Sequence, residues 1–230
     1  MISVVIPTYN EKKNILKIST KLLKINTISE IIFVDDQSKD KTYEEITSLK
    51  IKKVKAFLRK SKKKDLSKSV LLGVQKAKHE NILVMDCDLQ HNPKYIKKMW
   101  KKFNKHNYDI VVANRFTKKK IIGNLGYFRS FVSLFTILLI NFIFGRRVSD
   151  PLSGFFLCKK NIILKYKVNF FLCGYKILFD IIYNGRNNLK IGHQNIAFNK
   201  RKYEKSKFNW GIILIFLKQM IYTKLLQKKS

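Results

Sequence analysis

Cysteine is scarce in this sequence, and its scarcity argues against two kinds of site. Only Cys87, Cys158 and Cys173 occur among the 230 residues, and no two of them have C-x-x-C spacing. An odd, sparse set of this kind argues against a disulfide framework and against a cysteine-ligated zinc site. The composition fits a reducing cytoplasm, and each cysteine is expected to be a small buried apolar residue.

Acidic residues are also few, at 15 against 48 lysines and arginines, which leaves a formal net charge of +33 at pH 7. Such a field attracts polyanions, including nucleic acid, anionic lipid headgroups and phosphorylated substrates. Part of the excess reflects a bias toward Lys, Asn, Ile, Phe and Tyr that AT-rich genomes share. Because 46% of the residues are hydrophobic, a disordered polycation is excluded and one sizeable folded domain is expected.

No stretch clearly has the length of a membrane span, although Leu125–Phe144 and Trp210–Leu226 come near it. The opening residues Met1–Pro7 are too short and uncharged for a signal peptide, and they predict a first strand that Pro7 ends. No linker or internal repeat divides the chain.

The first half of the chain alternates short apolar runs with segments of helical periodicity. The predicted strands are Ile2–Ile6, Glu30–Val34, Val54–Leu58, Asn81–Met85 and Tyr108–Ala113. Helices are predicted over Glu11–Ile25 and Leu66–Ala77, and Asn92-Pro93 opens another. This series predicts an α/β fold with a mostly parallel sheet and helices on both faces.

The second half has a different pattern. It comprises an apolar helix over Leu125–Phe144, a turn and short strand over Ser149–Phe156, a helix over Gly174–Gly185, a strand over Leu189–Phe198, a basic loop over Asn199–Lys207 and an amphipathic or apolar helix over Trp210–Leu226. The basic runs Arg59–Lys64 and Lys118–Lys120 are predicted to be surface loops. We expect a nucleotide-binding half over 1–118, an acceptor-side half over 119–208 and a C-terminal helix over 209–230.

Polar groups follow four of the predicted strands, at the edge of a parallel sheet where ligands bind. The most informative group is Asp86-Cys87-Asp88-Leu89-Gln90. Two carboxylates and an amide oxygen form a hard ligand set that suits Mg²⁺ or Mn²⁺ held together with substrate phosphates. A D-x-D triplet alone is more often a solvated turn, and Asp35-Asp36 could equally be a helix-capping turn. The longer string after the fourth strand favours the metal site.

Five strings carry a resemblance to a known family. They are Val4–Glu11, Val34–Thr42, Met85–Pro93, Asp150–Phe155 and Gly174–Leu178. With them the sequence resembles glycosyltransferase family 2, and within it the dolichol-phosphate mannosyltransferase-like group of polyprenol-phosphate glycosyltransferases. The resemblance implies a GT-A, Rossmann-like fold and an inverting transfer of one sugar from a nucleotide diphosphate to polyprenyl phosphate.

The same resemblance implies a donor site. The residues expected to hold the nucleotide sugar are Pro7, Tyr9, Asn10, Glu11, Val34, Asp36, Asp86, Cys87, Arg201 and Lys207. Asp86, Asp88 and Gln90 are expected to hold the metal and the diphosphate. Asp88 and Arg115 are the expected catalytic residues. GDP-mannose is the favoured donor, and a glucosyl donor stays open because bacterial glucosyl relatives share the same motifs.

The acceptor phosphate needs cations, and the resemblance assigns it to Arg115, Arg129 and Ser133. Arg129, Ser133 and Thr136 fall at i, i+4 and i+7, which predicts one polar stripe on an otherwise apolar helix. A buried core helix with a salt-bridged arginine is the alternative. A phosphate monoester is largely dianionic at neutral pH, so no dedicated catalytic base is expected.

The C-terminal helix predicts contact with a membrane surface. Apolar residues of Trp210–Leu226 are accompanied by Lys218, Lys224, Lys228 and Lys229, which is typical of an interfacial helix with snorkelling lysines. A core helix packed on the sheet is an equally good interpretation. With a lipid-linked acceptor, the protein is expected to be peripheral on the cytoplasmic face of the membrane.

Two other functions remain open at this point. A family 2 transferase acting on a saccharide acceptor would need a general base, and Asp180 is the late carboxylate in a suggestive place. A basic nucleic-acid-binding protein is the more distant alternative. No RNP-like string, zinc-finger spacing or basic recognition helix is evident, so we expect no nucleic-acid partner.

Overall fold

The structure is a computed structural model that describes residues 1–61, 63–115, 127–172, 176–185, 188–197 and 210–229. Within residues 127–131, at 210 and at 229 the description covers the helical backbone alone. The expected residues Arg201 and Lys207 lie outside the described residues, as does the side chain of Arg129. Cys173 also lies outside them.

Within the described residues, seven strands form one mixed sheet in the order β3-β2-β1-β4-β6-β5-β7. The strands are β1 Ile2–Thr8, β2 Ile28–Asp35, β3 Val54–Leu58, β4 Asn81–Val84, β5 Ile110–Asn114, β6 Phe156–Lys159 and β7 Ile191–Asn195. Every pairing is parallel except those of β6, which runs antiparallel to both β4 and β5. The predicted α/β class and mostly parallel sheet are therefore confirmed.

The helices pack on both faces of this sheet, as predicted. They are α1 Lys12–Leu23, α2 Thr42–Ser48, α3 Leu66–Lys76, α4 Ile96–Lys105, α5 Tyr127–Phe144, α6 Lys160–Tyr166, α7 Ile177–Gly185 and α8 Trp210–Lys229. One apolar core joins the sheet to α1, α2 and α4, and a second joins it to α3, α5, α6, α7 and α8. Alternation along β1 explains the division, because Val5 faces the second core while Val4 and Ile6 face the first.

The first strand continues through Pro7, contrary to the prediction that Pro7 ends it. Pro7 pairs in register with Val34 of β2, whereas β4 pairs with β1 only as far as Val5. The carbonyl of Val5 accepts the Met85 N–H on the β4 side, and successive residues of a strand alternate in direction. The missing N–H of Pro7 therefore points where β4 has already ended, which a strand tolerates.

The second half of the chain completes the same sheet. The short strand predicted within Ser149–Phe156 instead begins at Phe156 and runs to Lys159, between β4 and β5, and the residues before it form the turn. It thereby carries the preceding turn, 150–155, to the carboxyl edge of the parallel strands. The helix α6 directly after it was not predicted from the sequence. The division at residues 118 and 208 stays a prediction.

The helices α5 and α8 each leave an apolar side exposed. Phe135, Leu138 and Phe142 are exposed on α5, and Leu214, Leu217, Ile221 and Leu225 are exposed on α8. Among the described residues, no helix combines the length and hydropathy that a membrane crossing requires. The opposite sides of both helices pack on the second core, through Ile137, Ile140, Phe216 and Met220.

Candidate active site

A cavity of about 420 Å³ opens at the carboxyl edge of the parallel strands. Its floor comprises the ends of β1 and β2 and the loop that follows β4. Its other wall comprises one side of α5, the start of α7 and the first turns of α8. The cavity therefore has a polar floor and an apolar wall.

Asp86, Cys87 and Asp88 all line this cavity, as the sequence predicts. The loop turns sharply at Leu89, whose φ of 61° is left-handed. Across that turn the Gln90 N–H donates to Oδ1 of Asp88 at 3.1 Å, which fixes the orientation of the Asp88 carboxylate. The Gln90 side chain is buried beside the loop and is not among the groups that line the cavity.

Asp86 is held by a residue that the sequence did not identify as functional. The imidazole Nδ1 of His91 accepts the Asp86 N–H at 3.4 Å and lies 3.6 Å from the Asp86 carboxylate. His91 is buried and stacks on Phe155, with ring centroids 5.1 Å apart. Burial lowers the pKa of His91 despite the nearby carboxylates, so the ring is neutral at pH 7 and Nδ1 keeps its lone pair.

The turn before β6 packs directly on Asp86. A Cβ added at Gly154 would lie 2.6 Å from one carboxylate oxygen of Asp86 and 2.9 Å from the other. Enclosure raises the pKa of Asp86, and the charge of Asp88 adds to the rise, against the opposing effects of His91, Lys176 and Arg115. Two carboxylates this close repel each other when both are ionised, and a cation bound between them relieves the repulsion.

Asp86 and Asp88 suit a divalent metal, but they supply only part of the ligands that it needs. Among the described residues, no cluster of three or more His, Cys, Asp or Glu side chains could hold a metal ion. Asp86 and Asp88 supply oxygen ligands on one wall of an open cavity, with the side chain of Asp86 40% exposed. Mg²⁺ is usually bound in this manner, through one or two carboxylates and the phosphates of its substrate.

The two aspartates after β2 have different roles. Asp35 is structural: it accepts hydrogen bonds from the Thr8 hydroxyl at 3.2 Å and from the Ser38 N–H at 2.9 Å. Asp36 lines the cavity and accepts the Asp65 N–H at 2.7 Å. The capping interpretation therefore holds for Asp35, while Asp36 faces the ligand space.

Asp36 is also paired with Arg59, whose location corrects the sequence prediction. Arg59 was expected in a surface loop, but it is buried, and Nη2 donates to both Asp36 and the Lys63 carbonyl. Its Nε donates to the Ser69 hydroxyl at 3.2 Å. A buried carboxylate needs a cation, and the first residue of the basic run Arg59–Lys64 supplies it.

Of the residues after β1, some line the cavity and others support the loop. Pro7, Tyr9 and Glu11 line the cavity, and Lys64 lies over the Tyr9 ring, 3.5 Å from its centroid. Asn10 lies outside the cavity lining: its N–H donates to the Ser38 hydroxyl at 2.7 Å and its Oδ1 accepts the Lys39 N–H at 2.8 Å.

Val34 also lies outside the cavity lining, in the core of β2. Asn10 and Val34 thus support the loop geometry rather than the cavity surface.

Arg115 lines the cavity, and Asp150 fixes the orientation of its guanidinium. Its Nε and Nη2 donate to the two oxygens of Asp150 at 2.7 Å and 2.9 Å, and Asp150 is fully buried. Burial acts to lower the pKa of Arg115, but Asp150 and Asp86 more than offset it, so the pKa is raised. The guanidinium is therefore a fixed, permanently charged group on the wall between the carboxylates and the helices.

The acceptor side of the cavity contains Ser133 and Thr136 of α5, as the helical spacing predicts. The Thr136 hydroxyl donates to its own helix, at the Val132 carbonyl, at 2.7 Å. Lys176 lines the same region although the sequence assigned it no role, and its Nζ donates to the Leu152 carbonyl at 3.1 Å. Ile212, Ile213 and Phe216 of α8 complete the apolar part of the wall.

Asp180, the carboxylate considered as a general base, is not among the residues lining the cavity. It is fully buried on α7, and its Oδ2 accepts the Phe171 N–H at 3.1 Å. Burial raises its pKa to about 7, against opposing hydrogen bonds from Gln219 and Phe171. A base on a saccharide hydroxyl would have to reach the substrate, so Asp180 does not support that alternative.

Known proteins match both the sequence and the fold. The family model "Glycosyl transferase family 2" matches residues 3–170. A dolichol-phosphate mannosyltransferase of Pyrococcus furiosus is 32% identical over 95% of this chain, and one of Saccharomyces cerevisiae is 28% identical over 95%. The chain spans 62% of the archaeal relative's length and 85% of the yeast relative's.

Solved structures of glucosyl-3-phosphoglycerate synthase from Mycobacterium tuberculosis are similar in fold. One, in complex with UDP, superposes with a TM-score of 0.71 at 16% identity, over 98% of this chain and 79% of that one. Another, in complex with Mn²⁺, UDP-glucose and phosphoglyceric acid, gives 0.72 at 14% identity, over 96% and 79%. The family match spans most of the chain and includes every described carboxylate of the cavity floor. The chain therefore belongs to glycosyl transferase family 2, and within that family it is similar to dolichol-phosphate mannosyltransferases.

Proposed function

We propose that this protein transfers a sugar, with inversion, from a nucleotide-diphosphate sugar to polyprenyl or dolichyl phosphate at a membrane surface. GDP-mannose is the favoured donor, because the relatives that cover most of the chain are named as dolichol-phosphate mannosyltransferases. One observation carries the proposal. A single cavity runs from a carboxylate floor, past fixed cations, to the apolar sides of α5 and α8.

The donor would lie on the carboxylate floor. Asp86 and Asp88 would hold Mg²⁺ or Mn²⁺ together with the diphosphate, and Gln90 would orient Asp88 through its backbone N–H. When bound, the metal supplies positive charge that stabilises the departing nucleoside diphosphate. Asp36 would accept hydrogen bonds from the nucleoside.

Tyr9 and Asp36 both line the cavity. Arg201 and Lys207 are proposed as further cations toward the leaving group, from outside the described residues.

The acceptor phosphate would lie against Arg115 and Ser133, with Arg129 as a further cation from α5. Lys176 adds a positive charge on the same wall. A phosphate monoester has a second pKa near ~6, so its oxygen is already anionic at neutral pH. The residues' task is therefore to position that oxygen and to offset charge, without removing a proton.

The lipid chain would leave the cavity along α8. Ile212, Ile213 and Phe216 extend the wall away from the carboxylates. Beyond them the exposed side of α8 carries Leu217, Ile221 and Leu225.

Lysines flank this apolar surface, with Lys218 and Lys228 exposed on α8. An anionic bilayer matches both features, since each Lys or Arg near such a surface adds about 1 kcal/mol of attraction. We propose a peripheral location on the cytoplasmic face.

A saccharide acceptor is a weaker second candidate. It would require a general base within reach of the sugar hydroxyl. Among the described residues, the carboxylates that line the cavity are Glu11, Asp36, Asp65, Asp86 and Asp88. Three of them already have roles with the donor, and the side-chain oxygens of Glu11 and Asp65 accept hydrogen bonds from Asn14 and Lys68.

A crossed panel of donors and acceptors tests the proposal. Radiolabelled GDP-mannose, UDP-glucose and UDP-N-acetylglucosamine are each incubated with Mn²⁺ and either polyprenyl phosphate or an oligosaccharide. The expected result is label in the organic phase with polyprenyl phosphate, highest with GDP-mannose, and none after Asp88→Asn. Label appearing only in a water-soluble saccharide would overturn the proposal.

A further inference from the structure

The chain between β3 and α3 is tied to the donor floor at two points. Nη2 of Arg59 donates to the Lys63 carbonyl at 2.7 Å and also to the carboxylate of Asp36. The Asp65 N–H donates to the same carboxylate at 2.7 Å. The backbone on both sides of Lys64 is thereby fixed against Asp36, and Lys64 and Asp65 both line the cavity.

Asp65 is a buried carboxylate of the cavity without a cation of its own. The residue is 5% exposed, and in the described part of the chain it forms no ion pair, whereas Asp36 is paired with Arg59. Burial raises the pKa of Asp65, and the opposing effects of Lys68, Arg59 and Ser67 offset the rise only in part. A buried carboxylate normally has such partners, so a ligand that supplies hydrogen-bond donors is expected here.

Helix capping does not account for a carboxylate at this position. Asp65 is the N-cap of α3, and its Oδ1 accepts the Lys68 N–H at 3.0 Å. Asn or Ser caps a helix as well as Asp and buries no charge. A carboxylate has about four lone-pair sites, and the amides of Ser67 and Lys68 use only part of that capacity.

The two oxygens of a carboxylate accept best from two N–H groups that lie side by side. Among the common nucleobases, guanine presents such a pair, in its N1–H and its 2-amino group. Uracil presents a single N–H between two carbonyl oxygens, so one of its oxygens would face the carboxylate. The chemistry of Asp65 therefore favours guanine.

An aromatic side chain is held to the same segment. Nζ of Lys64 lies 3.5 Å from the centroid of the Tyr9 ring and donates to the Tyr9 hydroxyl. Tyr9 lines the cavity together with Asp65. Aromatic side chains stack on any nucleobase, so Tyr9 contributes affinity while the choice of base falls to Asp65.

We propose that Asp65 selects guanine over uracil in the nucleoside diphosphate, by accepting hydrogen bonds from N1–H and the 2-amino group. Asp65 is thus a specificity-determining residue of the donor site. The inference rests on the proposed function for the class of ligand, a nucleoside diphosphate, and adds the residue that distinguishes the base.

Binding of GDP, UDP and inosine diphosphate to the full chain, with Mn²⁺ and no acceptor, tests the assignment by calorimetry. The wild type should bind GDP roughly 5- to 150-fold more tightly than UDP. Inosine diphosphate differs from GDP only in lacking the 2-amino group. It should bind about tenfold or more weakly than GDP, because one charge-assisted hydrogen bond is lost.

Asp65→Asn keeps the helix cap and replaces one carboxylate oxygen by an amide donor. Its affinities for GDP, UDP and inosine diphosphate should therefore become about equal. Asp40→Asn is the matched control. Asp40 accepts the Thr42 N–H at 3.0 Å and is not among the described residues that line the cavity, so this variant should keep both preferences of the wild type.

Equal binding of GDP and inosine diphosphate by the wild type would overturn the assignment. So would preferences that survive in Asp65→Asn, or that disappear equally in Asp40→Asn. If Asp65→Asn does not fold, Asp65→Ser also retains a cap and takes its place. No lipid is present, so failure here leaves transfer from a uridine donor open, whereas the absence of lipid product with every donor contradicts the proposed function itself.

Discussion

The contact between Gly154 and Asp86 allows the metal site to be tested without touching a ligand. In Gly154→Ala the new Cβ would lie 2.6 Å from the nearer Asp86 oxygen, whereas ordinary contact begins at 3.4 Å. The carboxylate must therefore move by at least 0.4 Å to reach 3.0 Å, and by 0.8 Å to reach ordinary contact. Mg²⁺ ligands lie at about 2.0–2.1 Å, and a bound ligand tolerates about 0.2 Å of error. A displacement of this size removes Asp86 from the metal.

The expected result is a loss of metal affinity of about 10- to 100-fold, the range seen when the support of a ligand is disturbed. Mn²⁺ binding in the presence of a nucleoside diphosphate, followed by electron paramagnetic resonance, measures it. Stability should change little, because Gly154 does not have a left-handed φ and Asp86 has room to rotate into the cavity.

Gly145→Ala is the matched control for this experiment. Gly145 has a φ of +76° and open space around it, so an added Cβ there costs about 1 kcal/mol of stability and leaves metal binding intact. If Gly154→Ala binds Mn²⁺ as tightly as the wild type, or if both variants lose affinity equally, Asp86 is not a metal ligand.

Three further predictions follow from buried pairs and exposed surfaces. Arg59→Leu should lower the free energy of unfolding by about 3 kcal/mol in urea titration, because Asp36 stays buried without its cation; Lys60→Leu, at the exposed neighbouring position, is the control and should be near neutral. Asp150→Asn should raise KM for the lipid phosphate about tenfold and leave the donor KM unchanged, since Arg115 loses one of two charge-assisted hydrogen bonds; a rise in both constants would refute this role. Ile221→Glu should abolish co-sedimentation with anionic vesicles, whereas Leu16→Glu, equally exposed on α1, should not; binding that survives Ile221→Glu removes α8 from the membrane contact.

Local sequence signals were sufficient for the five strands of the first half and for the metal-binding part of the donor floor. Strands and helices of the first half have clear periodicities, and the end of a parallel strand places its next residue at the ligand edge. Asp86 and Asp88 could therefore be identified before the fold was known, whereas the choice of Asp36 over Asp35 came from the family resemblance. Pro7 was misjudged because the outcome depends on where the neighbouring strand β4 ends, which local sequence does not contain.

The residues that were missed act through partners distant in sequence. Arg59 belongs to a run of positive charge, which usually indicates a solvated loop, and only its pairing with Asp36 identifies it as buried. Asp150 reaches Arg115 because β6 inserts antiparallel between β4 and β5, and no local pattern predicts that insertion. Lys176 lines the cavity from the segment before α7.

His91 does not have the sequence spacing of a metal ligand. What could have identified it is its position five residues after Asp86, where a turn brings the imidazole back to the Asp86 N–H. A search for acceptors near the backbone of the D-x-D loop would have found it. Its role is to orient Asp86, which spacing rules for ligands do not detect.

The central claim is that the carboxylate floor and the apolar wall serve one reaction with a lipid-linked phosphate. The direct measurement compares kcat/KM for polyprenyl phosphate in vesicles with that for 3-phosphoglycerate, using the same donor and Mn²⁺. Each buried methylene contributes about 0.8 kcal/mol, so four methylenes against Ile212, Ile213 and Phe216 contribute about 3 kcal/mol, or about 100-fold. We expect at least that preference for the lipid phosphate; equal or better use of the water-soluble phosphate would show that the apolar wall does not serve the reaction.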